Sequence, residues 1–129
     1  MKWMGKIDVK NRKSYRGPGE YVGRPMSGLK GSVLGNKYRI GPDGDRKTVI
    51  RKYLRWIRRE YRERKEVYRE LHRLAELARR GDLILACWCY PLACHAMIIA
   101  YILREMLRPK HVMGARIAEY KRRKAIIQV

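Results

Sequence analysis

All three cysteines of the chain lie within eight positions of one another, and a histidine follows the last of them. Cys87, Cys89, Cys94 and His95 fall in an uncharged stretch, 83–103, that basic segments flank on both sides. Thiolates and imidazoles bind zinc, three thiolates also suit an iron–sulfur cluster, and a thiolate is itself a nucleophile. These four residues therefore predict either a metal site, with zinc favoured, or a catalytic thiol at Cys94 beside His95.

Two other interpretations of this stretch stay open. Free cysteines often serve as small hydrophobic residues of a core, so a protein without any cofactor fits the sequence as well as zinc does. The stretch also approaches the roughly 20 residues that span a bilayer, but Pro91 interrupts it and both flanks are basic. A membrane protein is therefore disfavoured.

The composition favours a functional site over a plain core. Asn11, Asn36 and Gln128 are the only side-chain amides, while Lys, Arg and Glu are abundant, which is typical of proteins from hyperthermophiles. Because cysteine is itself heat-labile, three clustered cysteines in such a chain indicate a purpose. The odd cysteine count and the lack of an apolar segment near Lys2 and Lys6 predict a cytoplasmic protein without a disulfide framework.

The elements around the cysteines are predicted to be a strand and a helix. The apolar run 83–89 predicts a buried strand, and helical spacing over 93–107 predicts a helix. Cys94 and His95 would then lie where the strand leads into the helix, which is where open α/β folds bind ligands. The positive end of the helix dipole favours a thiolate at Cys94.

Other periodic segments complete the predicted fold. Short strands are expected at 7–9 and 21–22, and an amphipathic helix is expected over 46–61, capped by Asp45. A second helical pattern extends over 67–80, and the pattern does not decide whether the residues between the two patterns are helical.

The sequence thus predicts a single small α/β domain over 1–108 and a basic C-terminal tail over 109–129. The domain has about three helices and a few-stranded sheet, in which 83–89 is the central strand.

A glycine-rich segment, 23–44, carries interleaved basic residues. Glycine lets backbone N–H groups approach an anion closely, and a neighbouring arginine adds positive charge. The candidate phosphate-binding residues are Gly23, Arg24, Gly35 and Asn36. Their spacing matches neither the P-loop nor the dinucleotide fingerprint, so an ordinary surface loop stays an open alternative.

The formal net charge is +20, far beyond what solubility requires. Such an excess predicts a polyanionic partner, namely nucleic acid with RNA favoured, in the setting of a ribonucleoprotein, rather than an anionic membrane. The candidate contacts are arginines of the predicted helices and the tail: Arg58, Arg59, Arg62, Arg64, Arg122 and Arg123. A solvated face crossed by glutamate salt bridges is the alternative.

Several motifs of the chain resemble a single family. They are Tyr21-Val22-Gly23-Arg24-Pro25, Leu34-Gly35-Asn36, Asp43-Gly44-Asp45-Arg46 and the block Cys87-Trp88-Cys89-Tyr90-Pro91-Leu92-Ala93-Cys94-His95. Over about 7–106 the chain is similar to domain-of-unknown-function family 4326, which occurs in phages, bacteria and archaea. The cysteine block is the specific part. The resemblance implies a shared site more than a defined activity.

The chain departs from the family pattern at two places. Lys37-Tyr38 stands where relatives have proline and an aromatic residue, and Ala96-Met97 stands where they have glycine and an acidic residue. If that acidic residue serves chemistry in relatives, the chemistry is in question here. A relative that kept the fold and gained charge would be a binding protein, for instance on structured RNA.

The sequence therefore predicts two alternative functions. The first is a nucleic-acid-binding protein in which Cys87, Cys89, Cys94 and His95 form a structural element or a metal site. The second is an enzyme that acts on a nucleotide or a nucleic-acid base, with Cys94 as nucleophile or with the same four residues around a catalytic metal.

Overall fold

The computed structural model describes residues 5–26, 28–89, 92 and 94–108. Its elements are three strands and three helices: β1 (Ile7–Asn11), β2 (Glu20–Tyr21), α1 (Arg46–Arg62), α2 (Glu66–Arg80), β3 (Leu83–Cys87) and α3 (His95–Met106). The predicted small α/β fold is confirmed. The predicted tail over 109–129, with Arg122 and Arg123, lies outside the described residues.

β3 is the centre of a parallel sheet with the strand order β1-β3-β2. β1 pairs along the whole of β3, whereas β2 pairs only with Leu85 and Ala86. The predicted central strand is confirmed, but its predicted end is wrong, because β3 ends at Cys87 and not at Cys89. The ladder stops there since β1 ends at Asn11, directly opposite Cys87. Cys89 therefore belongs to the loop after the strand.

α1 and α2 are amphipathic helices whose apolar stripes the sequence predicts. The Asp45 carboxylate accepts a hydrogen bond from Thr48 N at 2.8 Å and caps α1, as expected. The segment between the two patterns is a break, since α1 ends at Arg62 and α2 begins at Glu66. Arg64 has a φ of 55°, a left-handed conformation that a continuous helix excludes.

One core joins the sheet to the helices. Leu83 and Leu85 of β3 are buried in it, and Tyr53 and Ile57 are fully buried side chains of α1. The Tyr53 hydroxyl donates to the Leu34 carbonyl at 2.6 Å, so α1 also holds the glycine-rich segment in place. None of the described helices is long and apolar enough to cross a bilayer.

Candidate functional site

A cavity of about 430 Å³ opens where β2 and β3 end, at the carboxyl edge of the sheet. Its walls come from the segment after β2, the first turn of α1, the loop after β3 and the start of α3. Among the described lining residues, three are arginines (Arg24, Arg39 and Arg46) and none is acidic. Cys89 and Cys94 line the same cavity. The glycine-rich segment and the cysteines, far apart in the sequence, thus meet at one edge.

The three cysteines form one cluster of free thiols. Cys87 Sγ and Cys94 Sγ are 3.3 Å apart, and Cys94 also hydrogen-bonds to Cys89. Cys87 and Cys94 are buried, whereas Cys89 is half-buried at the cavity wall. Cys89 is therefore the most accessible thiol of the cluster.

Cys89 loses its proton more readily than Cys94. A hydrogen bond from the Cys94 thiol is the main influence that lowers the pKa of Cys89 to about 6. Burial opposes this shift, while a hydrogen bond from Arg46 and the positive charges of Arg46 and Arg24 reinforce it. At neutral pH Cys89 is therefore largely a thiolate, the form in which a cysteine is nucleophilic.

Cys94 has the predicted position but not the predicted protonation state. It is the N-cap of α3, and its Sγ accepts a hydrogen bond from Ala96 N at 3.3 Å. This backbone donor favours a thiolate, but the hydrogen bonds of Cys94 with Cys87 and Cys89, followed by burial, raise the pKa of Cys94. The structure therefore favours Cys89 over Cys94 as the reactive thiol.

His95 connects α3 to the end of β2. Its Nε2 lies 2.7 Å from the Val22 carbonyl and donates to it, and its ring packs edge-on against Tyr53 with centroids 5.3 Å apart. Burial is the main influence that lowers the pKa of His95; the hydrogen bond with Val22 opposes this shift and the charge of Arg24 adds to it, so the site favours the neutral ring. With Nε2 engaged, His95 positions the start of α3 and is not poised to bind a metal through that nitrogen.

The four candidate residues of the glycine-rich segment divide into two groups. Gly23, Arg24 and Asn36 line the cavity, whereas Gly35 packs against the Gly23–Arg24 backbone. A Cβ on Gly35 would lie 3.0 Å from the Gly23 carbonyl oxygen, so glycine permits a close approach of two chain segments there. Asn36 Oδ1 accepts from Tyr38 N at 2.9 Å, which shapes the turn that brings Tyr38 to the cavity.

Aromatic rings connect the two strand ends. The Trp88 indole N–H donates to the Tyr21 hydroxyl at 3.0 Å, and that hydroxyl donates to the Arg24 carbonyl at 2.6 Å. These two hydrogen bonds hold Trp88, the residue before Cys89, against the segment that carries Arg24. Trp88, Tyr21 and Tyr38 therefore give the cavity an aromatic wall beside its arginines.

The three cysteines cluster, but the four predicted metal ligands are not arranged around a common metal position in the described structure. No group of three or more His, Cys, Asp and Glu side chains is arranged to hold a metal ion in the part of the chain that the structure describes. Cys89 lies beyond the strand, so the predicted alternation of Cys87 and Cys89 on one strand face does not occur. His95 is turned to Val22. Zinc stays a prediction, which elemental analysis of the purified protein checks.

Arg46 is the site residue that sequence reasoning missed. In the sequence it ends the Asp43-Gly44-Asp45-Arg46 motif and begins α1, and its relation to Cys89 arises because the first turn of α1 and the loop after β3 line the same cavity. Its place in the Asp43-Gly44-Asp45-Arg46 motif is the signal that would have marked it, while its contact with Cys89 depends on how the chain folds.

The predicted nucleic-acid contacts lie away from the cavity. Arg58, Arg59 and Arg62 are exposed on α1, and none of them forms an ion pair with another described residue. Arg64 is exposed in the break, with its guanidinium 5.4 Å from the centre of the Tyr68 ring. We call this group of four exposed arginines the α1 ridge.

The comparison with protein families identifies the chain. The profile of a family described as a domain of unknown function (DUF4326) matches residues 7–105. The chain belongs to this family. The match spans every strand and nearly all of α3, so the cavity with its cysteines and arginines lies within the family domain. A search of the curated proteins and a search of the solved structures found no match.

Proposed function

We propose that this protein is a cytoplasmic enzyme that acts on a nucleotide or on a base within a nucleic acid, with Cys89 as its nucleophile. The observation that carries the proposal is the environment of the Cys89 thiol. It is half-buried at the wall of a cavity that three arginines line and that contains no described acidic residue.

The lining suits the two parts of a nucleotide. Guanidinium groups bind phosphate oxygens through paired, charge-assisted hydrogen bonds, and Arg24, Arg39 and Arg46 supply three of them. The rings of Trp88 and Tyr38 offer apolar faces on which a base can stack. A volume of about 430 Å³ is in the range of small-molecule sites.

The chemistry follows from the cysteine cluster. The Cys89 thiolate would form a sulfur–carbon bond with an electrophilic ring carbon of the bound base, while one π bond of that ring breaks and its electron pair moves to a ring nitrogen or carbonyl oxygen. When that electron pair returns, the sulfur–carbon bond breaks and the Cys89 thiolate is released. Arg46 and Arg24 stabilise the thiolate before the attack, and the protonated Cys94 lies within hydrogen-bond reach of the reacting sulfur. His95 holds this arrangement in place through Val22 rather than acting as a base.

The test is protection of a single cysteine. We expect iodoacetamide to label Cys89 first in the native protein, and adenosine monophosphate to slow that labelling, with peptide mapping to identify the site. The Cys89→Ser variant should lose the fast labelling phase and still bind the nucleotide in calorimetry. Fast labelling that saturating nucleotide leaves unchanged would contradict the proposal.

The α1 ridge supports nucleic-acid binding, with RNA favoured and a ribonucleoprotein as its setting, as a second candidate function. Its arginines are exposed, while Glu63, Glu70 and Glu76 pair with other basic residues, namely Lys65, Arg73 and Arg79. Exposed arginines without an ion-pair partner among the described residues are available to neutralise phosphates. Salt-dependent binding of an RNA duplex by the protein tests this candidate, and a duplex that does not bind at low salt would remove it.

A further inference from the structure

The cluster contains three cysteines, although a single nucleophile requires only one. Cys89 is half-buried and Cys94 is buried, and both side chains line the same cavity, where the Cys94 thiol donates a hydrogen bond to Cys89. Cys94 in turn lies 3.3 Å from Cys87, sulfur to sulfur. When a reactive thiol forms a mixed disulfide with a small molecule, a second protein thiol in contact with it can attack that bond and release the small-molecule thiol.

We propose that Cys89 and Cys94 close to a disulfide by exchange with a low-molecular-weight anionic disulfide, and that this closure reversibly switches off the nucleophile of the cavity. The inference rests on the proposed role of Cys89 as the nucleophile, and it names how that role is regulated. Glutathione disulfide, which carries several carboxylates around its sulfur–sulfur bond, represents the chemical class.

The exchange proceeds in two balanced steps. The Cys89 thiolate attacks one sulfur of glutathione disulfide, forms a mixed disulfide and releases one glutathione thiolate, which takes a proton from water. The Cys94 sulfur then attacks Cys89 Sγ and displaces the second glutathione thiolate, which receives the proton that Cys94 loses. Two protein thiols are oxidised and one small disulfide is reduced to two thiols, so excess reduced glutathione reverses the reaction.

The cavity selects the charge of the small disulfide. Arg24, Arg39 and Arg46 surround the approach to Cys89, and none of the described lining residues is acidic. Carboxylates are therefore attracted to the cavity and ammonium groups are repelled from it. An anionic disulfide should accordingly react faster than a cationic one with the same sulfur–sulfur bond.

Cys94, rather than Cys87, is the partner of Cys89. Cys87 is the last residue of β3, it is fully buried, and its carbonyl is held by Arg12 N at 2.7 Å. Cys94 precedes α3, where its Sγ contacts Ala96 N and Cys87 Sγ, each at 3.3 Å. Moving the Cys94 sulfur toward Cys89 costs these two contacts, whereas moving Cys87 disturbs the central strand.

The experiment treats the reduced full-length protein with glutathione disulfide and counts free thiols after denaturation. The parent protein should lose two thiols, retain no glutathione, and give a Cys89–Cys94 linkage in peptide mapping. The Cys94→Ser variant should lose one thiol and keep a glutathionyl group on Cys89. Serine is a favourable N-cap, so α3 still begins correctly in this variant. The Cys87→Ala variant should behave like the parent.

A second arm replaces glutathione disulfide with cystamine, whose two ends are cationic. At low salt we expect glutathione disulfide to react with the parent at least about tenfold faster than cystamine. High salt and the Arg46→Gln variant should both reduce this ratio. Equal rates for the two reagents, a mapped Cys87–Cys94 linkage, or the same thiol loss in parent and Cys94→Ser would each overturn the inference.

The outcome is separable from that of the proposed function. Adenosine monophosphate binding is measured with the reduced protein and needs no second thiol. If the nucleotide binds and protects Cys89 while no Cys89–Cys94 linkage forms, the switch alone is wrong. If the linkage forms and the nucleotide does not bind, the nucleotide assignment is wrong and the dithiol pair stands.

Discussion

The cavity and the α1 ridge are both rich in arginine, but the arginines are arranged differently. In the cavity, Arg24 and Arg46 come from separate segments and converge on one sulfur, where their charges help to lower the pKa of Cys89 to about 6. On the α1 ridge, Arg58 and Arg62 project from one helix into solvent. Converging charges stabilise one anionic group in a partly enclosed space, whereas spread charges suit a repeating polyanion.

This difference shows why net charge alone does not locate a site. A charge of +20 favours any polyanion, and solvent screens each exposed arginine within about 10 Å at ordinary salt. Screening is weaker in a partly enclosed cavity, so three arginines there have more effect than the same number on a helix face. The two regions should therefore respond differently to salt, to single substitutions and to pH.

The largest expected effect concerns the α1 ridge. Replacing Arg58, Arg59, Arg62 and Arg64 with glutamine removes up to four phosphate contacts. The slope of log K against log salt for an RNA duplex should fall by about 3, with a loss of affinity on the order of 100-fold at low salt. Fluorescence anisotropy at several salt concentrations measures both quantities.

A matched variant gives the control for the α1 ridge. Arg69, Arg73, Arg79 and Arg80 on α2 are also exposed, and replacing them with glutamine changes the net charge by the same amount. Three of them already form ion pairs with glutamates, so they should contribute less to phosphate binding. Equal losses of affinity in the two variants would show that total charge, and not the α1 ridge, determines RNA binding.

The next effect concerns one arginine of the cavity. Arg46→Gln removes a guanidinium that bonds to Cys89 and lines the site. A charged hydrogen bond contributes about 1.5–3 kcal/mol, so adenosine monophosphate should bind roughly tenfold to 100-fold more weakly in calorimetry. Arg51→Gln, an exposed residue of the same helix that does not line the cavity, should bind it like the parent. If Arg51→Gln weakens binding as much as Arg46→Gln does, the cavity is not the nucleotide site.

How far the sequence predicts this cavity depends on distance along the chain. The strand-to-helix junction and the cap at Cys94 follow from local pattern, because apolar spacing and breaks are local features. The identity of the thiolate does not, since the helix end near Cys94 is outweighed by neighbouring sulfurs and burial. Arg46, which helps to select Cys89, reaches the sulfur only because the fold brings the first turn of α1 to the cavity that Cys89 lines.

The elements of the fold are likewise predictable from the sequence only where local pattern determines them. The stripes of α1 and α2 are visible in the sequence because each helix buries one face, and β3 is visible because it is buried. The end of β3 is not visible, because its ladder stops where the neighbouring strand β1 ends, at Asn11, rather than where its own apolar run ends. The break at Arg64 is likewise hidden, since a left-handed arginine leaves no composition signal.

A smaller effect is the pH dependence of Cys89 alkylation. Cys94 from the start of α3, Arg46 from α1 and Arg24 from the glycine-rich segment all face this sulfur, and together they lower its pKa to about 6. The alkylation rate should therefore rise with pH around a midpoint near 6, because the thiolate forms above the pKa. At pH 6 the larger thiolate fraction outweighs the lower nucleophilicity of a weakly basic thiolate, so labelling should be about tenfold faster than for an ordinary thiol.

Variants of the neighbouring residues should shift the midpoint of this pH profile. Arg46→Gln removes a positive neighbour, so the midpoint should move to higher pH. Cys94→Ser replaces the thiol donor with a hydroxyl and should change the midpoint less than Cys94→Ala does. A parent midpoint close to that of a free thiol, above pH 8, would show that the converging charges do not act on Cys89.

The smallest expected effect concerns Tyr53, a buried residue of the helix that carries most of the α1 ridge and that also contacts His95 of the cavity. Tyr53 lies on the buried side of α1, where its hydroxyl donates to the Leu34 carbonyl at 2.6 Å and its ring contacts His95. Tyr53→Phe leaves that buried carbonyl without its donor, which should lower the free energy of unfolding by about 1–2 kcal/mol in chemical denaturation. The glycine-rich segment then loses one anchor, so nucleotide affinity in the cavity should fall by a few fold. RNA affinity should stay unchanged, because the α1 ridge is on the opposite, exposed side of the same helix. If RNA and nucleotide affinities fall together in this variant, the cavity and the α1 ridge form a single binding surface rather than two.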